Sequence, residues 1–436
     1  MNGIFFSLVF VSFSLAAYRQ LVWSAEGDET QAPMALLSQS IIDAASSAVT
    51  LAIGLVGVMA LFLGLMKVAE SGGLLVIIAR AARPLMVKLF PDVPPDHPAM
   101  GAMILNMSAN VLGLGNAATP FGIRAMQELD KLNPYRGTAS NAMALFLAIN
   151  TSSVTLLPTG VIALRAAAGS EDPAGILPTT LFATICSTTV AILAAKTYQR
   201  FSVASPAAAA GGAPKTATAL AEASATAVSL NAQTAKGYPT WVSLLVLGGI
   251  VALIPLTILY GQAIAPWIVP GLIVALLAFG LLRGVPVYEA FVEGAREGFQ
   301  VALRIIPYLV AILVAVSMFR ASGAMDLIIA PLGVITGAYG LPAEALPMAI
   351  LRPLSGSGAY GILASIIQDP AIGPDSYTGY LVSTLQGSTE TTFYVLAVYY
   401  GAVQIRRVRH TVAAALSADL AGIIAAVAIC LYLFAG

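Results

Sequence analysis

The chain has 436 residues, 58% of them hydrophobic and only 10% charged, with a mean hydropathy of +0.87. Soluble domains carry about 25% charged residues, so this composition excludes an ordinary soluble domain and reads as an integral membrane protein. Lys plus Arg and Asp plus Glu each number 21, a balance that lacks the basic surplus of a nucleic-acid binder. Two cysteines, Cys186 and Cys430, and two histidines, His97 and His410, are too scattered for a disulfide framework or a His/Cys metal site; no metal and no cofactor is expected.

Residues 1–23 read as a retained first transmembrane helix. A signal peptide is the alternative, since 4–17 (IFFSLVFVSFSLAA) ends in two small residues. A span needs about 20 apolar helical residues, and further stretches of that kind lie at 47–66, 175–197, 240–261, 264–282, 301–319 and 411–434. Two more, 139–166 and 376–402, are long enough but broken by the polar clusters AINTSSVTLLPTG and LQGSTETTFYV. The pieces 98–120 and 342–366 are apolar yet interrupted by Gly, Pro, Asn and Ser, and are expected to form re-entrant helical hairpins. Residues 201–239, rich in Ala, Ser, Thr, Gly and Pro, read as a flexible linker. It separates a module at 47–200 from two connecting transmembrane helices at 240–283 and a second module at 284–436.

The modules share an order of features. Ser71-Gly72-Gly73 before LLVII answers Ser322-Gly323-Ala324 before MDLII, ILNMSANVLGLG (104–115) answers ILRPLSGSGAYG (350–361), and NTSSVT (150–155) answers QGSTET (386–391). Positive charge gives orientation: seven Lys or Arg between Lys67 and Arg136 place those connections inside, whereas the stretch from Arg320 to Tyr380 carries only Arg320 and Arg352 against four acids. One path fits, with the amino terminus cytoplasmic, nine crossings and the hairpins entering from opposite faces. The expected fold is therefore all-α and polytopic, with two modules related as an inverted-topology repeat, each holding a re-entrant hairpin and a broken helix, in a cell (inner) membrane. Secondary transporters use such repeats to build a midplane site.

Non-helical backbone at membrane depth survives only when buried in protein or lining a wet cavity. That demand singles out Asn106, Ser108, Asn110 and Asn116 on the first hairpin, and Asn150, Thr151, Ser152 and Ser153 in the first broken helix. In the second half it selects Arg352, Ser355 and Ser357 on the hairpin, and Gln386, Ser388, Thr389 and Glu390 in the broken helix. These fifteen are the candidate solute-binding residues. Simple bridging between helices is the competing reading for any single Ser or Asn. Arg352 and Glu390 are intramembrane charges, a functional hypothesis by default: a structural ion pair is one reading, and Glu390 binding a coupling proton, a cation or the substrate is the other. GSGAYG (356–361) matches G-x-G-x-x-G without a βαβ context, and no G-x-x-x-x-G-K-[ST] is present. No nucleophile–base pair is recognisable, so the chain is not expected to be an enzyme.

The segments DHPAMGAMILNMSANVLGLGNAATPFGIRAMQELDKLNP (96–134) and TASNAMALFLAINTSSVTLLPTGVIALRAAAG (138–169) closely resemble the spore maturation protein A family. AILRPLSGSGAYGILASI (349–366) and LVSTLQGSTETTFYVLAVYYGAV (381–403) are similar to spore maturation protein B. The chain looks like a fusion of the two, both of which carry the nucleoside recognition or Gate domain also found in ferrous iron and nucleoside transport proteins. The resemblance implies a membrane protein linked in spore formers to dehydration of the spore core, with no molecular activity fixed by the name. The expected function is a secondary-transport-like carrier of a small polar solute or ion, with the lipid bilayer as its surroundings and a homo-oligomer left open. The alternative is a non-transporting scaffold or regulator of envelope or spore maturation.

Overall fold

A computed structural model of the chain describes residues 2–23, 31–113, 115–202 and 237–434. Most of the expected linker, at 203–236, lies outside these residues. The described residues form helices and no strands, with one isolated bridge between Thr138 and Arg407. The protein is a multi-pass helical membrane protein: Phe5–Val22, Pro33–Ser71, Leu177–Tyr198 and Thr411–Phe434 are each long and apolar enough to cross a bilayer.

The first half contains α1 (Asn2–Val22), α2 (Pro33–Ser71), α3 (Leu74–Leu89), α4 (Pro98–Val111), α5 (Gly115–Lys131), α6 (Asn141–Thr151), α7 (Thr159–Ala167) and α8 (Leu177–Tyr198). The second contains α9 (Thr240–Leu282), α10 (Val287–Ala321), α11 (Ala324–Gly337), α12 (Leu346–Leu351), α13 (Gly356–Ile367), α14 (Tyr377–Ser388), α15 (Thr392–Ala402) and α16 (Thr411–Phe434). The same local signals start equivalent helices. Ser140 caps α6 by accepting from Met143 N–H, and Ser376 caps α14 by accepting from Gly379 N–H. The arms of α4–α5 and of α12–α13 fold back on each other, and each is shorter than the roughly 20 residues a crossing requires.

The expected alignment of Ser71-Gly72-Gly73 with Ser322-Gly323-Ala324 is off by one residue. Both turns need a left-handed residue, which Gly supplies without steric cost, and the positive φ falls at Gly73 (82°) and Gly323 (76°). Gly73 therefore answers Gly323.

Equivalent helices of the two halves pack against each other in opposite directions. In α2 and α10, Lys67 pairs with Glu293 at 3.4 Å near one end, and Ser317 Oγ donates to Ser40 O at 3.1 Å near the other. Gly294 and Gly298 let the backbones touch, because a side chain at either would meet the main chain of α2 between Met59 and Gly64. In α8 and α16, Ala194 and Ala195 share one core with Ala414, whereas Ala183 shares the other with Ala425 and Ala426. Those two cores divide the molecule. One joins the α4–α5 hairpin to α3, α6 and α15, and the other joins the α12–α13 hairpin to α2, α7, α10 and α14.

The leading helices are exchanged. α1 packs on α10 of the other half, with the Arg19 guanidinium filling the space over Gly323, and α9 packs on α2 and α3, with Arg283 Nε donating to Gly72 O at 2.9 Å. Residues 240–283, expected as two connecting helices, carry helical backbone almost throughout, and the run doubles back as two connecting helices do. That run is not a straight rod. Its ends meet the same region, through Tyr238 N–H to Arg80 O and Arg283 to Gly72 O, while a straight helix of 43 residues would separate them by about 65 Å.

Candidate functional site

Two helices stop and restart in the middle of the molecule. The chain is non-helical between Thr151 and Thr159, and again between Ser388 and Thr392. The breaks touch: Glu390 N–H donates to Thr151 O at 2.8 Å. Each hairpin turn also docks on the break of its own half, with Leu156 N–H to Val111 O at 2.9 Å and Phe393 N–H to Pro353 O at 3.1 Å. Gly113 in the first turn has φ 75°, and a Cβ there would collide with Leu157 O. Backbone groups freed by the breaks thus find backbone partners, as membrane depth requires.

Two polar clusters flank this crossing. In the first, Asn110 Nδ2 donates to Asn150 Oδ1 at 3.0 Å and to Ser153 Oγ at 3.2 Å, while Asn150 Nδ2 donates to Phe146 O. Asn106 Nδ2 donates to Ala118 O at 2.7 Å and to the Tyr399 hydroxyl at 3.1 Å. The hydroxyl of Tyr399 points on toward Asn150 Oδ1 at 3.5 Å. Asn106 Oδ1 is buried and has no partner among the described residues.

In the second cluster, Arg352 grips the end of α14. Its Nε donates to Gln386 O and its Nη1 to Thr391 Oγ1, each at 3.0 Å, and its Nη2 donates to Thr389 O. Glu390 is only a loose partner, 3.8 Å from Nη2 with 55% of its side chain exposed. Arg352 is held by helix-end oxygens, where a cation also complements the helix dipole, rather than by a carboxylate.

The remaining candidates divide. Ser108, Thr151, Ser152 and Ser388 spend their hydroxyls on carbonyls three or four residues earlier in their own helices, although Ser152 O also accepts from Thr188 of α8. Ser355 caps α13 by accepting from Gly358 N–H at 3.0 Å. Ser357 is exposed on the first turn of α13, and Gln386 leaves its buried Oε1 without a partner. The side chain of Asn116 lies outside the described residues.

Sequence reasoning missed three groups that the fold brings in. Asp419 sits on α16, 3% exposed, with Thr392 Oγ1 donating to its Oδ2 at 2.7 Å. A lone acid inside an otherwise apolar span was the available signal. Arg165, fully buried at the end of α7, donates to Pro374 O at 2.6 Å, to Asp375 at 2.8 Å and to Ser170 at 3.1 Å, and lies over the Tyr380 ring. At the other end of the molecule Arg409 donates to Ala139 O at 3.0 Å and to Asn141 Oδ1 at 2.9 Å. Each arginine lies at or just beyond the end of the broken helix of one half and holds the start of the broken helix of the other. A cavity of about 70 Å³ lined by Arg80, Arg83 and His97 lies between α3 and the start of α4, away from the breaks.

Crossed discontinuous helices, flanked by short hairpins inside a multi-pass bundle, define a membrane protein of paired helical modules. Residues 52–168 and 302–406, together about half of the chain, match the model of the Gate family, described as nucleoside recognition. The chain belongs to the nucleoside recognition (Gate) family. It is 50% identical over 157 residues to spore maturation protein A of Bacillus subtilis (strain 168), covering 36% of this chain and 80% of that protein. To spore maturation protein B of the same organism it is 46% identical over 166 residues, covering 38% of this chain and 92% of that protein. No solved structure matches the chain.

Proposed function

We propose that the protein is a secondary-transport-like carrier that moves a small polar solute or ion through a site at the crossing of the two broken helices. The two halves act as an inverted-topology repeat with the α4–α5 and α12–α13 hairpins re-entering from opposite faces of the cell (inner) membrane, and the amino terminus is cytoplasmic. The observation that carries this reading is the contact of the breaks through Glu390 N–H and Thr151 O, with equivalent helices antiparallel on either side. Discontinuous helices meeting between inverted repeats are how secondary transporters present half-helix ends to a substrate. Buried acceptors without partners among the described residues, Asn106 Oδ1 and Gln386 Oε1, supply one unsatisfied group from each half for a solute that donates hydrogen bonds.

The second reading, a non-transporting scaffold or regulator of envelope or spore maturation, is favoured by the hydroxyls of Ser108, Thr151, Ser152 and Ser388, which are spent within their own helices. One experiment separates the two. The full chain in liposomes is screened for thermal stabilisation by nucleosides, amino acids, sugars and inorganic ions, and each hit is followed as labelled flux. Transport requires a solute whose flux falls at least about tenfold in Asn150→Ala and Gln386→Ala, the loss of roughly one hydrogen bond's worth of binding. A panel with neither binding nor flux leaves the scaffold reading in place.

A further inference from the structure

Asp419 is the one acid of α16, and its surroundings differ from those of Glu390. The side chain is 3% exposed, inside a helix whose most apolar window has a mean hydropathy of 2.2. Its Oδ2 accepts from Thr392 Oγ1 at 2.7 Å, while its Oδ1 is buried and has no partner among the described residues. Among the described residues it makes no ion pair within 4 Å. Among the described residues, the elements packed on this part of α16 bring no second acid. From α8 comes the hydroxyl of Ser187, already donating to Ala418 O at 2.8 Å, and from the end of α14 comes Thr389, whose methyl lies against Gly422. α6 contributes apolar side chains of the cluster that holds Ala414 and Ala418. Arg352 is the cation whose charge reaches Asp419, and it is occupied by Gln386 O, Thr389 O and Thr391.

A carboxylate left charged and unpaired at this depth is costly, and neutralisation is the usual way out. The orphaned oxygen marks where the neutralising group goes. We infer that Asp419 is a proton-binding site of the carrier, with the proton on Oδ1 and Thr392 donating to Oδ2. Protonation forms one O–H bond, takes its proton from water and changes no other covalent bond. Loss of the proton leaves a buried anion whose available counter-charge is Arg352. The guanidinium then exchanges the helix-end oxygens of Gln386 and Thr389 for Asp419, loosening the second break. The proton on Asp419 thereby decides whether the crossing is locked or free. This deepens the transport reading and rests on the same crossing, but its test needs no solute, so either can fail without the other.

The test uses the full chain in lipid and acid-minus-alkaline infrared difference spectra. The wild type is expected to show the carbonyl band of a protonated carboxylic acid, sensitive to deuterium exchange and absent from Asp419→Asn. Glu390→Gln keeps the band. Thr392→Val retains the acid but removes its hydrogen bond, so the band remains and moves to higher wavenumber, which keeps the inference testable if Asp419→Asn does not fold. Proton uptake on acidification falls by a single proton per chain in Asp419→Asn. A wild type without the band, or an Asp419→Asn spectrum identical to it, overturns the assignment. So does a band abolished by sodium at constant pH, which would make the ligand a metal cation.

Discussion

Replacing Arg352 with Met separates two accounts of the second break. If an ion pair with Glu390 holds the hairpin, removing either partner costs about the same. The geometry argues otherwise: Arg352 satisfies the carbonyls of Gln386 and Thr389 and the hydroxyl of Thr391, while Glu390 is 3.8 Å away and 55% exposed. Two carbonyls left unsatisfied in a buried site cost about 1–3 kcal/mol each, part of which is recovered because a guanidinium no longer has to be buried. The net expectation for Arg352→Met is a loss of about 2–4 kcal/mol. Glu390→Gln, by contrast, removes an exposed, long pair and is expected to cost about 0–1 kcal/mol. Equilibrium unfolding of the purified protein in mixed micelles, run on both single variants and the double variant, measures these values and their coupling. Equal losses for the two single variants, coupled by more than about 1.5 kcal/mol, would refute the reasoning and restore the ion pair as the device that holds the hairpin.

Gly113→Ala places a Cβ at positive φ and against Leu157 O, so it should destabilise by more than the roughly 1 kcal/mol of the left-handed conformation alone. Gly401→Ala, with open space around it in α15, should be neutral or stabilising by up to about 1 kcal/mol in the same unfolding assay. Arg165→Met takes the donor from Pro374 O and Asp172 O but also removes a buried guanidinium, so a loss of about 2–4 kcal/mol is expected; Asp375→Asn strands the fully buried guanidinium beside its remaining oxygens and should lose at least as much. His410, in the connection before α16, is buried with neither ring nitrogen bonded among the described residues, and burial, then the neighbouring Arg409, hold its pKa down to about 4. The unfolded imidazole takes up its proton near pH 6.5 and the folded one does not, so stability falls as pH drops from about 6.5 toward 4. Melting curves of His410→Leu should show that pH dependence reduced, and an unchanged dependence would assign it to another group.

The two helix breaks were legible in the sequence because polar residues and Gly are costly inside a long apolar stretch in lipid unless the backbone there breaks and finds partners within the protein. The matched order of NTSSVT and QGSTET pointed to paired modules for the same reason. Residue-level register was harder. Ser71 and Ser322 look equivalent as letters, but the turn is governed by which residue takes positive φ, and that is Gly73 and Gly323. Asp419 was hidden in a strongly apolar span, and its significance depends on Thr392 from another helix. Arg165 and Arg409 sit at helix ends, where a cation normally reads as a topology marker; only the fold shows that each reaches across to the other half. The exchange of α1 and α9 has no local signal, because both helices are apolar and their partners are set by the whole bundle.

That exchange bears on the order of assembly. α1 is made long before α10, on which it docks, and Arg165 of α7 finds Pro374 and Asp375 only after more than two hundred further residues have been made. At about 5–20 residues per second, the first half waits tens of seconds in the membrane with Arg165 and the start of α6 unpaired. Water retained between half-built helices would solvate those groups in the interval. Premature termination anywhere before α14 would therefore leave an insertion product in which Arg165 lacks the oxygens of Pro374 and Asp375.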